Sequence, residues 1–375
     1  MDLASLRKQI DEIDEQLVAL YEKRMDISGQ VAEYKIETGK KVFDREREED
    51  KLRKVKELTH NDFNSHGIEE LFEQIMSMSR KLQYQMLTEK GSAGRLPFIG
   101  VDRLDTEKAR VVFPGAEGAY TQEAMKRFFG ENVNSFHVDT FRDAMIAIDE
   151  GSADYAVLPI ENSTAGIVNE IYDMLVEFEN YIVGEQIIKI EHCLMAVPGT
   201  KLSDIQTVYS HPQSLMQSAK YLGGHASWKQ ISMNNNAFAA RKVAEDQDKT
   251  EAAIAGEHAA KTYGLEILEK GVNQSDTNST RFIVVTNQKI FLKKAKKVSI
   301  CFEVPHQSGS LYHMLSHFIY NNLNMNRIES RPLEGRNWEY RFFIDFEGNL
   351  ADSAVKNALR GLRDEARNMK ILGNY

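Results

Sequence analysis

Cysteine is scarce in this chain of 375 residues, which contains only Cys193 and Cys301. Two cysteines cannot form the disulfide framework of a small secreted domain, and without CxxC or Cys/His spacing they do not predict a zinc site. No apolar run approaches the roughly 18 residues that a membrane-spanning helix needs. The first twenty residues carry charges every few positions and so lack the apolar region of a signal peptide. We therefore expect a cytoplasmic protein.

Phosphate-binding glycine patterns and an excess of positive charge are also lacking. Neither GxGxxG nor GxxxxGK[ST] occurs, which argues against a dinucleotide or nucleotide site. The chain has 47 Lys and Arg residues against 56 Asp and Glu residues, for a formal net charge of -9. Because polyanions would be repelled, we expect neither general nucleic-acid binding nor binding to a membrane surface.

The hydrophobic periodicity of residues 1–90 is helical throughout. From Leu3 the apolar residues recur at alternating spacings of three and four, which predicts one long amphipathic helix with a coiled-coil-like seam, ending at Gly39. A second helix is predicted within VFDREREEDKLRKVKEL, and a third from about Ile68 to Leu87 after a break at 60–67. We therefore predict an all-α domain over 1–90, with KGSAGR (90–95) as its exit and 91–107 as a linker.

Two further domains are predicted from changes in this periodicity. Over 108–286, short β-rich runs alternate with helical stretches, which predicts parallel α/β sheets. This length favours two lobes with a cleft between them, a domain of the periplasmic-binding-protein type. After a linker at 287–297, residues 298–375 show the order βαββαβ, which predicts a ferredoxin-like α+β domain.

Charged residues interrupt the seam of the first helix. Arg24 stands where an apolar residue is expected, and Lys35, eleven residues later, faces the same side. Other polar residues that share helix faces are Asp44, Arg47 and Glu48 on the second helix and Ser79 and Gln83 on the third. Since an isolated charge cannot stay buried unpaired, the set predicts an anion pocket. In the alternative, Arg24 extends into water from the edge of the seam and the other residues form a solvated surface.

Arg7 poses a geometric problem for this pocket. It precedes Arg24 by seventeen residues, which is about 25 Å along a helix axis, and it lies on another face. Arg7 can therefore reach the same pocket only from a second, antiparallel subunit.

These residues resemble the all-helical chorismate mutases over roughly the first 90 positions, in LRKQID, EKRMDIS, VAEYK, DxxRE and the Ser79/Gln83 pair. The resemblance implies that Arg24, Arg47 and the partner subunit's Arg7 hold the two carboxylates of chorismate. It implies further that Lys35 and Gln83 face the ether oxygen of the breaking bond, with Glu48 and Asp44 near the ring hydroxyl or backbone contacts. Interlocked dimers are also implied. A Claisen rearrangement suits such a site, because it needs only a compact conformer and positive donors where negative charge develops.

Polar clusters stand at four strand ends of the α/β segment, where α/β sheets hold their ligands. They are PGAEGAYTQEA (114–124), PIENSTAG (159–166), SHPQSLMQS (210–218) and NSTRF (278–282). Each cluster alone is more typical of a helix cap or a turn than of a ligand site. The four together predict a polar cleft.

Residues 108–286 resemble the prephenate dehydratase family in PIENSxxG, SHPQ and TRF. The resemblance implies that Thr280 is the general acid toward the departing ring hydroxyl and that Arg281 holds a substrate carboxylate. The other pocket residues that it implies are Glu161, Asn162, Ser163, Ser210, Gln217 and Phe282. The first cluster departs from the family's glycine-serine-tyrosine-serine-histidine pattern, because it keeps a hydroxyl at Thr121 and lacks the histidine.

The C-terminal segment resembles the ACT regulatory domain in SGSL and ESRP. In that resemblance the two loops hold phenylalanine between paired subunits. Their residues are Gly309, Ser310, Leu311, Glu329, Ser330, Arg331 and Pro332. In the alternative, both are ordinary turns of a docking domain. His313 and His317, an i, i+4 pair without a third ligand nearby, are interpreted as helix surface rather than a metal site.

The three resemblances together imply a bifunctional enzyme. Chorismate is converted to prephenate, and prephenate to phenylpyruvate with loss of carbon dioxide and water. Phenylalanine inhibits as the effector, and no cofactor or metal is implied. One alternative is a non-catalytic amino-acid sensor with a vestigial mutase domain. A fusion to a prephenate dehydrogenase is a second alternative, and the absent dinucleotide fingerprint argues against it.

Overall fold

The computed structural model describes residues 2–91, 96–304 and 306–375, so residues 92–95 of the expected exit KGSAGR lie outside the described part. The N-terminal helices are α1 (Leu3–Thr38), α2 (Arg45–Lys56) and α3 (Asp62–Glu89). Gly39 ends α1 in the left-handed conformation, at φ 71°. The break between the second and third helices is shorter than the predicted 60–67, because α3 already begins at Asp62. Asn61 caps this helix, and its side chain accepts a hydrogen bond from the Asn64 N–H.

The α/β region follows with short strands and helices. Its strands are β1 (Ile99–Val101), β2 (Arg110–Pro114), β3 (Asn134–Val138), β4 (Tyr155–Asn162), β5 (Gly166–Ile167), β6 (Tyr181–Lys189), β7 (His192–Ala196), β8 (Thr207–Ser210), β9 (Lys229–Ser232), β10 (Glu251–Gly256), β11 (Glu266–Lys270), β12 (Ser279–Thr286) and β13 (Ile290–Leu292). Its helices are α4 (Tyr120–Phe129), α5 (Phe141–Asp149), α6 (Asn169–Glu177), α7 (Pro212–Gln217), α8 (Ala219–Gly223), α9 (Asn236–Asp246) and α10 (Glu257–Tyr263).

Two large sheets form within this region, one in the order β6-β12-β4-β2-β3 and one in the order β11-β7-β10-β8-β9, and β1 pairs with β13 in a small third sheet. Each large sheet has its own hydrophobic core, the first around Phe113, Met125 and Val284 and the second around Met195 and Val243. The expectation of parallel sheets is wrong, because β12 runs antiparallel to β4 and β6, and β7 runs antiparallel to β10 and β11. Both large sheets are therefore mixed, and their antiparallel strands carry site residues.

The C-terminal elements follow the predicted βαββαβ order. They are β14 (Lys297–Glu303), α11 (Ser310–Tyr320), β15 (Met325–Pro332), β16 (Tyr340–Glu347), α12 (Ser353–Glu365) and β17 (Arg367–Asn374). The strands lie in the order β15-β16-β14-β17, which leaves β15 at an edge.

Backbone proximity divides the chain into two compact units. One contains Met1–Phe98 with Ala295–Ile371, and the other contains Ile99–Lys294 with Leu372–Tyr375. In the first unit, α3 packs against α11 and α12. The helical and C-terminal segments, far apart in sequence, thus belong to one packed body. Among the described residues, no helix combines the length and the apolar character needed to cross a membrane.

Candidate functional sites

A cavity of about 770 Å³ lies among α1, α2 and α3. It is lined by the seven polar residues selected from these helices in the sequence, namely Arg24, Lys35, Asp44, Arg47, Glu48, Ser79 and Gln83. Ser79 donates to the hydroxyl of Ser28 at 2.6 Å, and Ser28 donates to the Arg24 carbonyl at 3.0 Å, which fixes α1 against α3. The spacing along each helix therefore brings these side chains to one cavity.

Two buried polar atoms of this cavity have no hydrogen-bond partner in the described structure, Arg24 Nη1 and Gln83 Oε1. Burial lowers the pKa of Arg24, while Tyr21 and Glu48 oppose the shift. Unpaired buried polar groups destabilise a fold unless a ligand satisfies them. Arg24 is half-buried with its Nη1 shielded from water, while Asp44 and Arg47 are exposed at the cavity rim, so the set is neither fully enclosed nor fully solvated.

Lys35 and Asp44 stand at the junction of α1 and α2. Lys35 Nζ donates to the Val42 carbonyl at 2.6 Å, which holds the ammonium over the cavity. Burial lowers the pKa of Lys35, and the nearby Asp44 and Glu48 oppose that shift. Asp44 caps α2 by accepting from the Arg47 N–H at 3.2 Å. Asp44 therefore both starts the helix and carries negative charge at the rim.

Thr280 lies at the start of β12 and is 9% exposed. Asn162, at the end of β4, donates through Nδ2 to the Thr280 hydroxyl oxygen at 2.9 Å and to Asn278 Oδ1 at 2.8 Å. Since the oxygen of Thr280 accepts from Asn162, its hydroxyl proton can be donated to another acceptor. The antiparallel pairing of β12 with β4 places these side chains together.

A polar network continues from Thr280 to the second sheet. Gln217, on α7, donates to the Thr164 hydroxyl at 2.8 Å and accepts from Asn278 Nδ2 at 3.2 Å. Its Oε1 also lies 3.0 Å from His192 Nε2, and Tyr120 OH lies 3.0 Å from His192 Nδ1. A carboxamide oxygen can only accept, so Nε2 carries the proton, and the Tyr120 hydroxyl lies within hydrogen-bond distance of both Nδ1 and the Glu191 carbonyl, at 3.0 and 2.9 Å. Burial lowers the pKa of His192, with an opposing effect of Gln217, which favours this neutral form.

Two other predicted dehydration-site residues, Arg281 and Glu161, face each other across the β12–β4 pair. Arg281 lies 3.3 Å from Glu161 and 3.4 Å from Glu185. Because successive strand residues point to opposite faces, Arg281 and Glu161 lie on the face opposite to Thr280 and Asn162. This differs from the expectation that all four line one pocket.

Three more of the expected pocket residues make contacts within the fold. Phe282 is 2% exposed and packs in the core of the first sheet. Ser210 is fully buried and donates to the Ile254 carbonyl at 2.6 Å. Ser163 donates to the Thr277 carbonyl at 3.2 Å and accepts from the Ser279 N–H at 3.0 Å, which supports the backbone beside Thr280.

The two predicted effector loops lie at the start of α11 and in β15. Gly309 precedes α11 at φ 76°, a left-handed conformation that favours glycine, and Leu311 lies in the first turn of the helix. Ser310 donates to the Gln307 carbonyl at 2.9 Å. The residues Glu329, Ser330, Arg331 and Pro332 end the edge strand β15.

Comparison with known proteins gives a match for each of the first two regions. Residues 6–84 match the family model of chorismate mutase type II, and residues 111–290 match that of prephenate dehydratase. The bifunctional chorismate mutase/prephenate dehydratase of Escherichia coli K12 is 33% identical over 380 residues, covering all of this chain and 96% of that protein. The chain belongs to the bifunctional chorismate mutase/prephenate dehydratase family. It is an enzyme with a mutase domain and a dehydratase domain.

Solved structures resemble a large part of this bifunctional enzyme. Prephenate dehydratase from Arthrobacter aurescens in complex with L-Phe has a TM-score of 0.66 and 30% identity, covering 71% of this chain and 89% of that one. GqqA, described as a novel type of quorum quenching acylase, has a TM-score of 0.64 and 31% identity, covering 71% and 96%. Because one fold can carry different activities, the matched family models rather than fold similarity decide the assignment.

Arg80 is a buried charged residue of the mutase domain that no pattern in the sequence had indicated. It follows Ser79 on α3, is 7% exposed, and pairs with Glu48 inside the domain. Its Nε also donates to Glu365 of α12 at 2.9 Å, and its guanidinium lies 5.0 Å from the Phe43 ring centre. No sequence pattern within the helical segment could have predicted the contact between Arg80 and Glu365, because the two residues are 285 positions apart.

Two histidines, His192 and His317, make buried contacts that the sequence did not indicate. His192, which lies in none of the motifs selected from the sequence, links Tyr120 to Gln217 in the polar network around Thr280. The interpretation of His317 as helix surface is wrong, because it is 1% exposed and its Nε2 lies 3.3 Å from Glu365 Oε1. Among the described residues, no group of three or more His, Cys, Asp or Glu side chains is arranged to hold a metal ion.

Proposed function

We propose that the helical cavity is the chorismate mutase site and that the network around Thr280 is the prephenate dehydratase site. Chorismate and prephenate are then the successive substrates. The proposal is supported chiefly by the helical cavity, where Arg24 and Gln83 hold buried polar atoms without protein partners. The proposed domains are 1–90, 108–286 and 298–375, joined by linkers 91–107 and 287–297.

In the mutase site, Arg24 and Arg47 bind the carboxylates, and Lys35 and Gln83 stabilise the negative charge that develops on the ether oxygen. Glu48 faces the ring hydroxyl. The rearrangement transfers no proton, so its barrier falls through preorganised donors and enforced proximity. The hydrogen bond from Lys35 Nζ to the Val42 carbonyl fixes the ammonium over the cavity, and such catalysis requires a donor that is fixed in this way.

In the dehydratase site, Thr280 donates its hydroxyl proton to the ring hydroxyl of prephenate as that carbon–oxygen bond breaks, and the Thr280 oxygen takes a proton back from water before the next turnover. The electrons of the bond between the ring and its carboxylate complete the aromatic ring, and carbon dioxide and water leave. Asn162 supports this role, because its hydrogen bond to Thr280 Oγ1 stabilises the negative charge that develops there. The pocket is proposed to form between two lobes of the periplasmic-binding-protein type.

The C-terminal domain is proposed to be an ACT domain that binds phenylalanine as the feedback effector. Support comes from the βαββαβ order, from the left-handed Gly309 before α11, and from the relative that was solved in complex with L-Phe. Inhibition requires phenylalanine to prefer one of two arrangements of the enzyme, since binding that does not discriminate shifts nothing.

The direct test is an ultraviolet assay of both conversions by the purified full chain, with and without phenylalanine. We expect chorismate consumption, phenylpyruvate formation from prephenate, and slower phenylpyruvate formation when phenylalanine is added. Incubation with prephenate that yields no phenylpyruvate would instead favour the non-catalytic sensor.

Replacement of Glu329 by alanine is expected to relieve phenylalanine inhibition at an unaltered basal dehydratase rate. The reason is that the change removes a side chain of the proposed effector loop and leaves the Thr280 network untouched. Inhibition curves for this variant and for the matched control Glu334→Ala, an exposed carboxylate just past β15, would decide the matter. Persistent inhibition of Glu329→Ala would locate the effector site elsewhere.

We further propose an interlocked dimer in which the partner chain's copy of Arg7 completes each mutase site. Arg7 is exposed on α1, in a stretch where Ile10, Ile13 and Leu17 are 56%, 56% and 53% exposed. An exposed apolar seam of this length is stabilised by a second helix. A two-fold dimer would cover it and bring each Arg7 to the other subunit.

Mixing inactive variants tests this dimer. Arg7→Ala and Lys35→Ala enzymes are each expected to lack mutase activity, while a hybrid dimer keeps one complete site. Unfolding and refolding an equimolar mixture should therefore restore about a quarter of the wild-type activity, since half of the dimers are hybrids with one of two sites intact. An absence of any recovery, with hybrid dimers demonstrated by mass spectrometry, would show that each site is built from one chain.

A further inference from the structure

A buried ionic contact joins the mutase cavity to the C-terminal elements within one compact unit. Arg80 Nη1 donates to Glu48, which lines the cavity. Arg80 Nε donates to Glu365 Oε1 at 2.9 Å, and Nη2 donates to Glu365 Oε2 at 3.4 Å. All three guanidinium nitrogens are thus engaged, and Arg80, which also lines the cavity, bridges two carboxylates.

The energetics of this bridge are those of a buried charge cluster. Burial lowers the pKa of Arg80, but Glu365 and Glu48 outweigh that effect and raise it. Burial alone would raise the pKa of Glu365, while His317 and Arg80 outweigh it and lower the pKa to about 2. Both groups are therefore charged at neutral pH. Removal of one partner leaves an uncompensated buried charge, so the remaining side chains must move.

Glu365 is itself connected to the proposed effector loop. Its Oε1 lies 3.3 Å from Nε2 of His317, a residue of α11, and α11 begins at Ser310 directly after Gly309. His317 approaches α12 closely because position 361 is glycine, where a Cβ atom would collide with the imidazole ring. A second cavity, of about 240 Å³, is bordered by both Glu48 and Ser310.

We propose that Arg80 is a positioning residue of the mutase, which orients the Glu48 carboxylate and is itself held by Glu365 of the C-terminal domain. This inference rests on the proposed mutase site. It means that the geometry of Glu48 depends on how α12 and α11 pack against α3. A movement of α11 that starts at the effector loop would then alter the mutase through Glu365 and Arg80.

The first test is Glu365→Gln in the full chain, which keeps the shape of the side chain and removes its charge. We expect the mutase kcat to fall roughly 10- to 100-fold, because small displacements of a positioned group have effects of this size. The KM for chorismate should change little, since Arg24 and Arg47 are untouched. Far-ultraviolet circular dichroism and thermal unfolding of the same preparation report whether the unit that holds Glu365 is folded, and Glu365→Asp, which keeps the charge, should lose less mutase activity.

Tyr84→Phe is the matched control at the same contact. Tyr84 OH donates to Asp364 at 2.8 Å, so this variant also removes a bond between α3 and α12, but Tyr84 does not line the mutase cavity. We expect its mutase kcat to stay near that of the wild type. Equal losses in Tyr84→Phe and Glu365→Gln would show that docking of α12 matters and the ion bridge does not, which would overturn the proposal.

A double-mutant cycle separates positioning from a general structural role. If Arg80 acts through Glu48, Arg80→Lys should lower mutase kcat in the wild type and have little further effect in Glu48→Gln. Additive losses would overturn the proposal. If the wild type has mutase activity and the folded Glu365→Gln variant has the same activity, the Arg80 proposal is wrong while the mutase assignment stands. If the wild type has no mutase activity, the proposed mutase function itself is refuted.

Discussion

Replacement of Lys35 by alanine is expected to reduce mutase kcat by about 10²- to 10³-fold, the usual loss when one preorganised donor to a developing oxyanion is removed. Lys35 Nζ is held over the cavity by its bond to the Val42 carbonyl, so the proposed site presents a preorganised donor to the ether oxygen. The effect should appear in kcat rather than in KM, because the oxygen gains its charge only in the transition state. Steady-state chorismate consumption measures both.

The matched control is Lys23→Ala, which removes an exposed lysine of the same helix that does not line the cavity. Its mutase kinetics should remain those of the wild type. The dehydratase rate of Lys35→Ala should also be unchanged, since Thr280 lies in the other compact unit. Loss of both activities in Lys35→Ala would contradict independent sites, and full mutase activity would remove Lys35 from the mechanism.

The mutase cavity was largely predictable from the sequence because helical periodicity fixes which side chains share a face. Arg24 and Lys35 stand eleven residues apart, three turns of one helix, and they line the same cavity. The C-terminal βαββαβ order was equally readable, since its strands are seven or eight residues long and alternate with amphipathic helices.

Long-range pairing was not predictable, because no local pattern reports it. The contact of Arg80 with Glu365 joins residues 285 positions apart, and His317 has the spacing of a surface residue until α12 covers it. Strand direction was missed for the same reason. The run that forms β12 is apolar whether it is parallel or antiparallel to β4, and only the pairing decides which side chains meet Thr280.

The face occupied by Arg281 is a consequence of that pairing. Motif reading grouped Thr280, Arg281 and Phe282 as one binding element, but adjacent residues of a strand point to opposite sides. Thr280 consequently contacts Asn162, whereas Arg281 contacts Glu161 and Glu185. The dehydratase proposal therefore depends on Thr280 and the amide network far more than on the motif as a whole.

Replacement of Thr280 by valine, which keeps the shape and removes the hydroxyl, is expected to lower dehydratase kcat by about 10²- to 10⁴-fold, the range for loss of a general acid. Thr280→Ala should behave in the same way, while Thr280→Ser keeps the donor and should retain most of the rate. Phenylpyruvate formation from prephenate measures each variant, and mutase activity should stay at the wild-type level in all three.

An unchanged turnover of Thr280→Val would exclude the Thr280 hydroxyl as the proton donor. A serine variant as slow as valine would show that the methyl group and its packing matter instead, because Asn162 could still donate to the serine hydroxyl.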